Sequence, residues 1–126
     1  MHFVESDYFC LEVSGLDVYY IQVTTTCEEA FSLLDQRENG IRQGDSGLYI
    51  SKIILGTAGS GSSKWQEWIL EEEDALPLLE HAFKVGINTW DTADVFSNGR
   101  SEEIIGKALK KHNIPRSEIV ILTNIF

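Results

Sequence analysis

GINTWDTADVFSNGRSEEIIGKALKKHNIPRSEIVILT, residues 86–123, sets two apolar, β-branched runs on either side of one amphipathic run, and that alternation decides the fold class. Ile87–Asp91 is a strand-like run entered from Gly86. Past a polar loop, Ser101 suits a helix N-cap, and Glu102 and Glu103 put negative charge where a helix dipole is positive. Ile104, Ile105, Ala108 and Leu109 recur at helical spacing and supply a buried face. Lys110, Lys111 and His112 complement the opposite end, Pro115 stops the helix, and Ile119–Thr123 is a further extended run.

Upstream, the apolar run Ile53-Ile54-Leu55 ends at Gly56 and reads as a buried strand. A helix is expected over Glu72–Lys84, with an acidic start, an apolar stripe of Leu76, Leu79, Ala82 and Phe83, and Gly86 placed to cap its end. Proline is tolerated in the first turns only, so Pro77 predicts that this helix begins late or bends. The order is βαβαβ. Short strands buried on both faces and joined by single helices imply a parallel sheet with right-handed crossovers, open to either a barrel or a doubly wound sheet.

Residues 1–40 form a separate segment of unknown role. Tyr8–Val13 and Leu16–Val23 are apolar and β-branched, and Ser14-Gly15 between them suits a hairpin turn. Thr26 and Glu29 form a capping box for a short helix carrying Ala30, Phe31, Leu33 and Leu34. Ile41–Gln43 and Leu48–Ser51 read as a second small hairpin across the turn Gly44-Asp45-Ser46-Gly47.

The chain has 126 residues, enough for one core but well short of the ~250 of a complete (β/α)8 barrel. With 43% hydrophobic and 24% charged residues it has the composition of a folded soluble protein. A net charge of −10 with scattered cations disfavours nucleic acid and anionic lipid as partners. No apolar run approaches the ~20 residues of a membrane span and the start lacks signal-peptide character, so a cytoplasmic location is expected. In that compartment Cys10 and Cys27 are expected as free thiols.

Several motifs have ordinary readings. Gly56-Thr57-Ala58-Gly59-Ser60-Gly61 lacks the glycine order of a dinucleotide fingerprint and no helix opens at once, so it reads as a flexible loop. His2, His81 and His112 lie far apart, and no metal site is expected. Glu71-Glu72-Glu73 reads as a solvated helix start. Trp65 and Trp68 follow a strand's carboxyl end, where ligand binding and packing over the sheet are both open readings. Asp91 ends a buried run, where a charge needs a partner; it reads either as a site acid or as a cap on the amides of the next turn.

The string Asp91-Thr-Ala-Asp94, followed by Asn98-Gly99 and Ser101-Glu102, and with it nearly all of residues 51–124, resembles the aryl-alcohol-dehydrogenase-like fungal branch of the aldo-keto reductases. The hairpin from Arg42 to Ser51 is similar to the one that plugs the bottom of that family's barrel, so the resemblance spans about residues 41–126. It implies an incomplete, N-terminal part of a (β/α)8 barrel. It further implies NADPH as cofactor, small carbonyl or aryl-alcohol substrates, and a catalytic tyrosine supported by lysine, aspartate and histidine. Asp91 falls on the aspartate, and Gly56, Thr57 and Ala58 fall on the segment near the nicotinamide. Phe96 stands at the tyrosine position and Asn124 at the lysine position, while the histidine would follow a strand beyond Phe126.

In this family hydride delivery builds negative charge on the carbonyl oxygen, a phenol supplies a proton, and a lysine held by the aspartate lowers the phenol's pKa. Replacing the phenol alone forfeits about 10²–10⁴ of rate. Asn124 can still hydrogen-bond Asp91 but cannot hold a positive charge, so a buried Asp91 is expected to be driven toward its neutral form. Phosphate sites in such barrels use the loops after strands seven and eight, which lie outside the resemblance. The expectation is an NADP-dependent oxidoreductase by family that is inactive as this chain. Two other readings are a non-catalytic module that self-associates through open strand edges, and a decayed gene copy.

Overall fold

The strands are β1 (Leu11–Glu12), β2 (Tyr19–Gln22), β3 (Gly40–Arg42), β4 (Tyr49–Ser51), β5 (Ile53–Gly56), β6 (Thr89–Ala93) and β7 (Val120–Asn124). The helices are α1 (Glu72–Lys84) and α2 (Arg100–Lys111), with single tight turns at Phe96–Gly99 and Arg116–Glu118. The computed structural model describes residues 11–12, 19–22 and 40–126. The turn expected at Ser14-Gly15, the helix expected from Thr26, and His2, Cys10 and Cys27 lie outside them.

One sheet has the order β1-β2-β5-β6-β7, with β1 antiparallel to β2 and every other pair parallel. β3 and β4 form the expected hairpin, pairing Ile41 with Ile50. Its last residue, Ser51, is tied to the amino end of β6: Ser51 N–H donates to Asn88 Oδ1 and Thr89 Oγ1, each at 3.0 Å, and Thr89 N–H donates to Ser51 Oγ at 3.1 Å.

Register sorts the two faces. Leu55, Trp90 and Ile121 pair in one row, and Gly56, Asp91 and Leu122 in the next. Since successive strand residues point to opposite sides, the first row faces the helices and the second faces away. Ala75, Leu76, Leu79 and Ala82 of α1 and Ile104, Ile105 and Ala108 of α2 close over Leu55 and Trp90 to make the core. Trp90 is fully buried, and its indole N–H donates to the Ile87 carbonyl at 2.9 Å, so its one polar atom costs nothing there.

Both helices end in Schellman caps. Gly86, at φ 93°, donates to Phe83 O, and Ile87 donates to Ala82 O. Asn113, at φ 51°, and Ile114 repeat the arrangement on Lys110 O and Leu109 O. Because Ile87 is used in a cap, the strand expected over Ile87–Asp91 begins two residues later and runs to Ala93.

Two other expectations change. α1 begins at Glu72 despite Pro77 in its second turn. Pro77 and Glu73 are both exposed, so the carbonyl that proline leaves without a donor can be hydrated. α2 is capped by Gly99, not by Ser101; Ser101 is fully buried and turned toward β5.

A carboxylate joins the helices: Glu72 Oε2 accepts from Arg100 Nη2 and Lys107 Nζ, both at 2.6 Å, and Arg100 Nη1 reaches Glu103 at 2.7 Å. The Lys107 hydrogen bond is the main cause of a lowered Glu72 pKa. Glu71 also has partners, with its Oε1 accepting from Ser63 N–H and Oγ at 2.7 Å. Glu71 and Glu72 of the acidic triplet are therefore bonded joints, while Glu73 is exposed as a solvated helix start would be. Among the described residues, no helix is long and apolar enough to cross a membrane.

Candidate functional site at the strand ends

The carboxyl end of β5 runs into the buried Gly56-Thr57 pair, and Thr57 fixes the geometry there. Its N–H and its hydroxyl both donate to the Asp91 carbonyl at 2.9 Å. The Ser101 hydroxyl lies 2.8 Å from the Thr57 carbonyl and 2.9 Å from its hydroxyl. Two strands and the first turn of α2 are thereby fastened at one point. Ala58, next along, is half-buried.

Asp91 lies within β6 on the face away from the helices. Its side chain is half-buried and has neither hydrogen bond nor ion pair among the described residues, so it does not cap the following turn. Burial without a compensating charge pushes its pKa up. Asn124 does not relieve it. Across the ladder Asp91 meets Leu122, and Asn124 meets Ala93. The two residues share a face but stand diagonally, two positions apart, and no hydrogen bond joins their side chains. The exposed Asn124 instead accepts from Asp94 N–H through its backbone carbonyl, at 3.1 Å. The bond that Asn124 could make to Asp91 is not made.

Phe96, half-buried, opens the turn that follows β6. Ser97, Asn98 and Gly99 then take φ of 48°, 54° and 84°, a run of left-handed residues that is costly for serine and asparagine. Neighbouring backbone holds the turn in place. Gly61 abuts Ser97 so closely that a Cβ there would overlap its Cβ and Oγ, and Ser62 N–H donates to Ser97 Oγ at 3.3 Å.

The glycine-rich segment is not an open loop. Ser60 N–H donates to Thr57 O, Gly61 N–H to Leu70 O and Leu70 N–H to Gly59 O, each at 2.9 Å, closing a bridge between Ser60 and Leu70. Trp65 and Trp68 follow in the same loop, 40% and 57% exposed. His112 sits at the far end of α2, its Nδ1 3.3 Å from Glu80. Among the described residues, no group of three or more His, Cys, Asp or Glu side chains is arranged to hold a metal ion.

Gly56, Thr57 and Asp91 are thus brought together, Phe96 stands in the next loop, and Asn124 lies apart. The roles of Gly61, Ser97 and Ser101 were missed in the sequence. Only Asn98-Gly99 carried a signal, as a pair that tolerates left-handed backbone.

A family model described as the Aldo/keto reductase family matches residues 52–125, which contain this whole arrangement. The chain belongs to that family. Versiconal hemiacetal acetate reductase of Aspergillus parasiticus is 65% identical to this aldo-keto reductase chain over 85 residues, 68% of the chain and 25% of the relative. A putative aryl-alcohol dehydrogenase of Schizosaccharomyces pombe is 47% identical over 85 residues, 66% of the chain and 24% of the relative. The crystal structure of a thermostable aldo-keto reductase with the inhibitor epalrestat superposes at a TM-score of 0.58 and 30% identity, covering 70% of this chain and 31% of that one. The chain spans about a quarter of the length of these curated relatives. The parallel strands β5 to β7 with α1 and α2 are accordingly part of the family's (β/α)8 barrel.

Cofactors of this family are phosphorylated dinucleotides, which need cations or free amides at their phosphates. The resemblance sets Gly56, Thr57 and Ala58 beside the nicotinamide, and phosphate sites in such barrels use the loops after strands seven and eight, so the described strand ends are not where the phosphates would lie. Arg100 is consumed by Glu72 and Glu103, the glycine-loop amides of Ser60 and Gly61 are bonded internally, and Glu71–Asp74 and Asp94 add negative charge.

Proposed function

We propose that the chain bears the strand-end site of an NADP-dependent oxidoreductase that reduces aldehydes or ketones, or oxidises aryl alcohols in the reverse direction, with the acid kept and its proton donor and ammonium replaced. As this chain it does not reduce carbonyls. The observation that carries the reading is Asp91, a half-buried carboxyl with no cation beside it. A carbonyl oxygen that gains negative charge needs a proton or a positive charge nearby. Phe96 offers a ring without a hydroxyl, and Asn124 is neutral and makes no hydrogen bond to Asp91. The family resemblance assigns Gly56, Thr57 and Ala58 to the nicotinamide side, and Thr57 has its hydroxyl committed to the Asp91 carbonyl.

The test is a titration of NADPH fluorescence with the purified chain, together with an assay of NADPH-dependent reduction of an aromatic aldehyde. No saturable binding and no turnover are expected. Saturable binding with turnover would overturn the proposal.

A further inference from the structure

In a closed parallel barrel every strand has two neighbours, and the outer edge of the first strand is taken by the last. β5 is the first strand of the family unit here, since the match begins at residue 52. One of its edges pairs with β6. The other pairs with β2 over the full length of β5: Tyr19 with Ile53, Tyr20 with Ile54, Ile21 with Leu55 and Gln22 with Gly56.

Three features make this pairing more than an edge contact. First, β2 runs parallel to β5, the direction a barrel's closing strand takes, although a parallel partner requires a crossover of a dozen or more residues where an antiparallel one needs a short turn. Second, β2 comes from the segment that precedes the family match, so the chain supplies this strand from outside the barrel sequence. Third, β1 then pairs antiparallel with β2, ending the parallel run. A strand edge has a single row of N–H and C=O groups, so two strands cannot pair with it at once.

We infer that Tyr19–Gln22 occupies the seat of the barrel's closing strand on β5, so that β2 excludes any other strand from that seat. This goes beyond the reductase reading and does not depend on whether the chain reduces carbonyls. It also narrows self-association through open edges: of the edges of β5, β6 and β7, β7 alone is left unpaired among the described residues.

Register-specific cross-linking of the full chain tests the inference, with Cys10→Ser and Cys27→Ser to remove the native thiols. Paired Cα atoms on adjacent strands suit a disulfide, whereas a shift of two residues separates them by roughly 8 Å, beyond disulfide reach. Tyr19→Cys with Ile53→Cys should therefore cross-link within one chain on mild oxidation, and Ile21→Cys with Ile53→Cys should not. Cross-links formed only between two chains, or equally in both variants, would overturn it.

Amide exchange on the unmodified chain needs no substitution. The β5 amides not bonded to β6 should be as protected as those that are, and rapid exchange there overturns the inference. Ile21→Pro removes a donor from β2 and should speed exchange in Ile53–Gly56 by tenfold or more while leaving Trp90–Thr92 unchanged. Unchanged β5 exchange in that variant also overturns it.

Discussion

Adding one methyl group at Gly61 should cost this protein more than most loop substitutions. The new Cβ would sit well inside 3.0 Å of Ser97, with Ile69 Cγ2 at 3.4 Å on another side. Ser97 is 6% exposed and held at φ 48°, so it has little room to yield. Overpacking of this kind costs about 1–3 kcal/mol. Gly61 is not at positive φ, so alanine also stiffens the unfolded chain, which returns about 0.4–1 kcal/mol. The net expectation for Gly61→Ala is a loss of about 1–2 kcal/mol, read by urea unfolding followed by circular dichroism. Ser97→Gly should lie near wild type, because relief of left-handed strain offsets the loss of a long hydrogen bond and the added chain entropy. In the double variant the methyl group has space, and Gly61→Ala should then cost nothing. If the single variant falls within about 0.5 kcal/mol of wild type, or the two substitutions simply add, the packing argument is wrong.

Two further expectations concern the strand ends. Folding raises the proton affinity of Asp91, so its contribution to stability is full below about pH 4 and is lost as pH rises through the folded pKa. Asp91→Asn should therefore be more stable than wild type at pH 7.5, by a margin that shrinks toward pH 4.5 in urea titrations; a destabilised variant at pH 7.5 would contradict the reading. Ser101→Ala should cost about 0.5–1.5 kcal/mol, because the Thr57 carbonyl keeps the Ser60 N–H as a donor and only the serine's own bonds are lost. Ser101→Asp separates the two roles of this residue: aspartate serves well as an N-cap but not as a buried bridge, so an aspartate variant as stable as wild type would restore the capping assignment.

The parts of the fold legible in the sequence are those set by neighbours along the chain. The bounds of α1 followed from its acidic start and Gly86, and β5 from three apolar residues before Gly56. What escaped depends on groups far away. Ser101 before two glutamates is locally indistinguishable from a cap, and its true partner is Thr57, 44 residues earlier. Glu72 shows its partners only once α2 packs beside α1. The runs that hold β1 and β2 were visible as extended segments, yet nothing in their composition says that Tyr19–Gln22 would align with β5. At the site, Asp91 stood out as an acid in an apolar run, and Phe96 and Asn124 came from the family pattern. The ladder register, invisible in sequence, sets Asn124 diagonal to Asp91 rather than opposite it.

The burial of Trp90 also gives the protein a built-in optical reporter. Its indole lies in the dry core while Trp65 and Trp68 face water, so the three tryptophans divide into one blue-emitting, quencher-protected fluorophore and two red-emitting, accessible ones. Iodide should remove the red component first. What remains would report the seam between the sheet and the two helices, without any label being introduced.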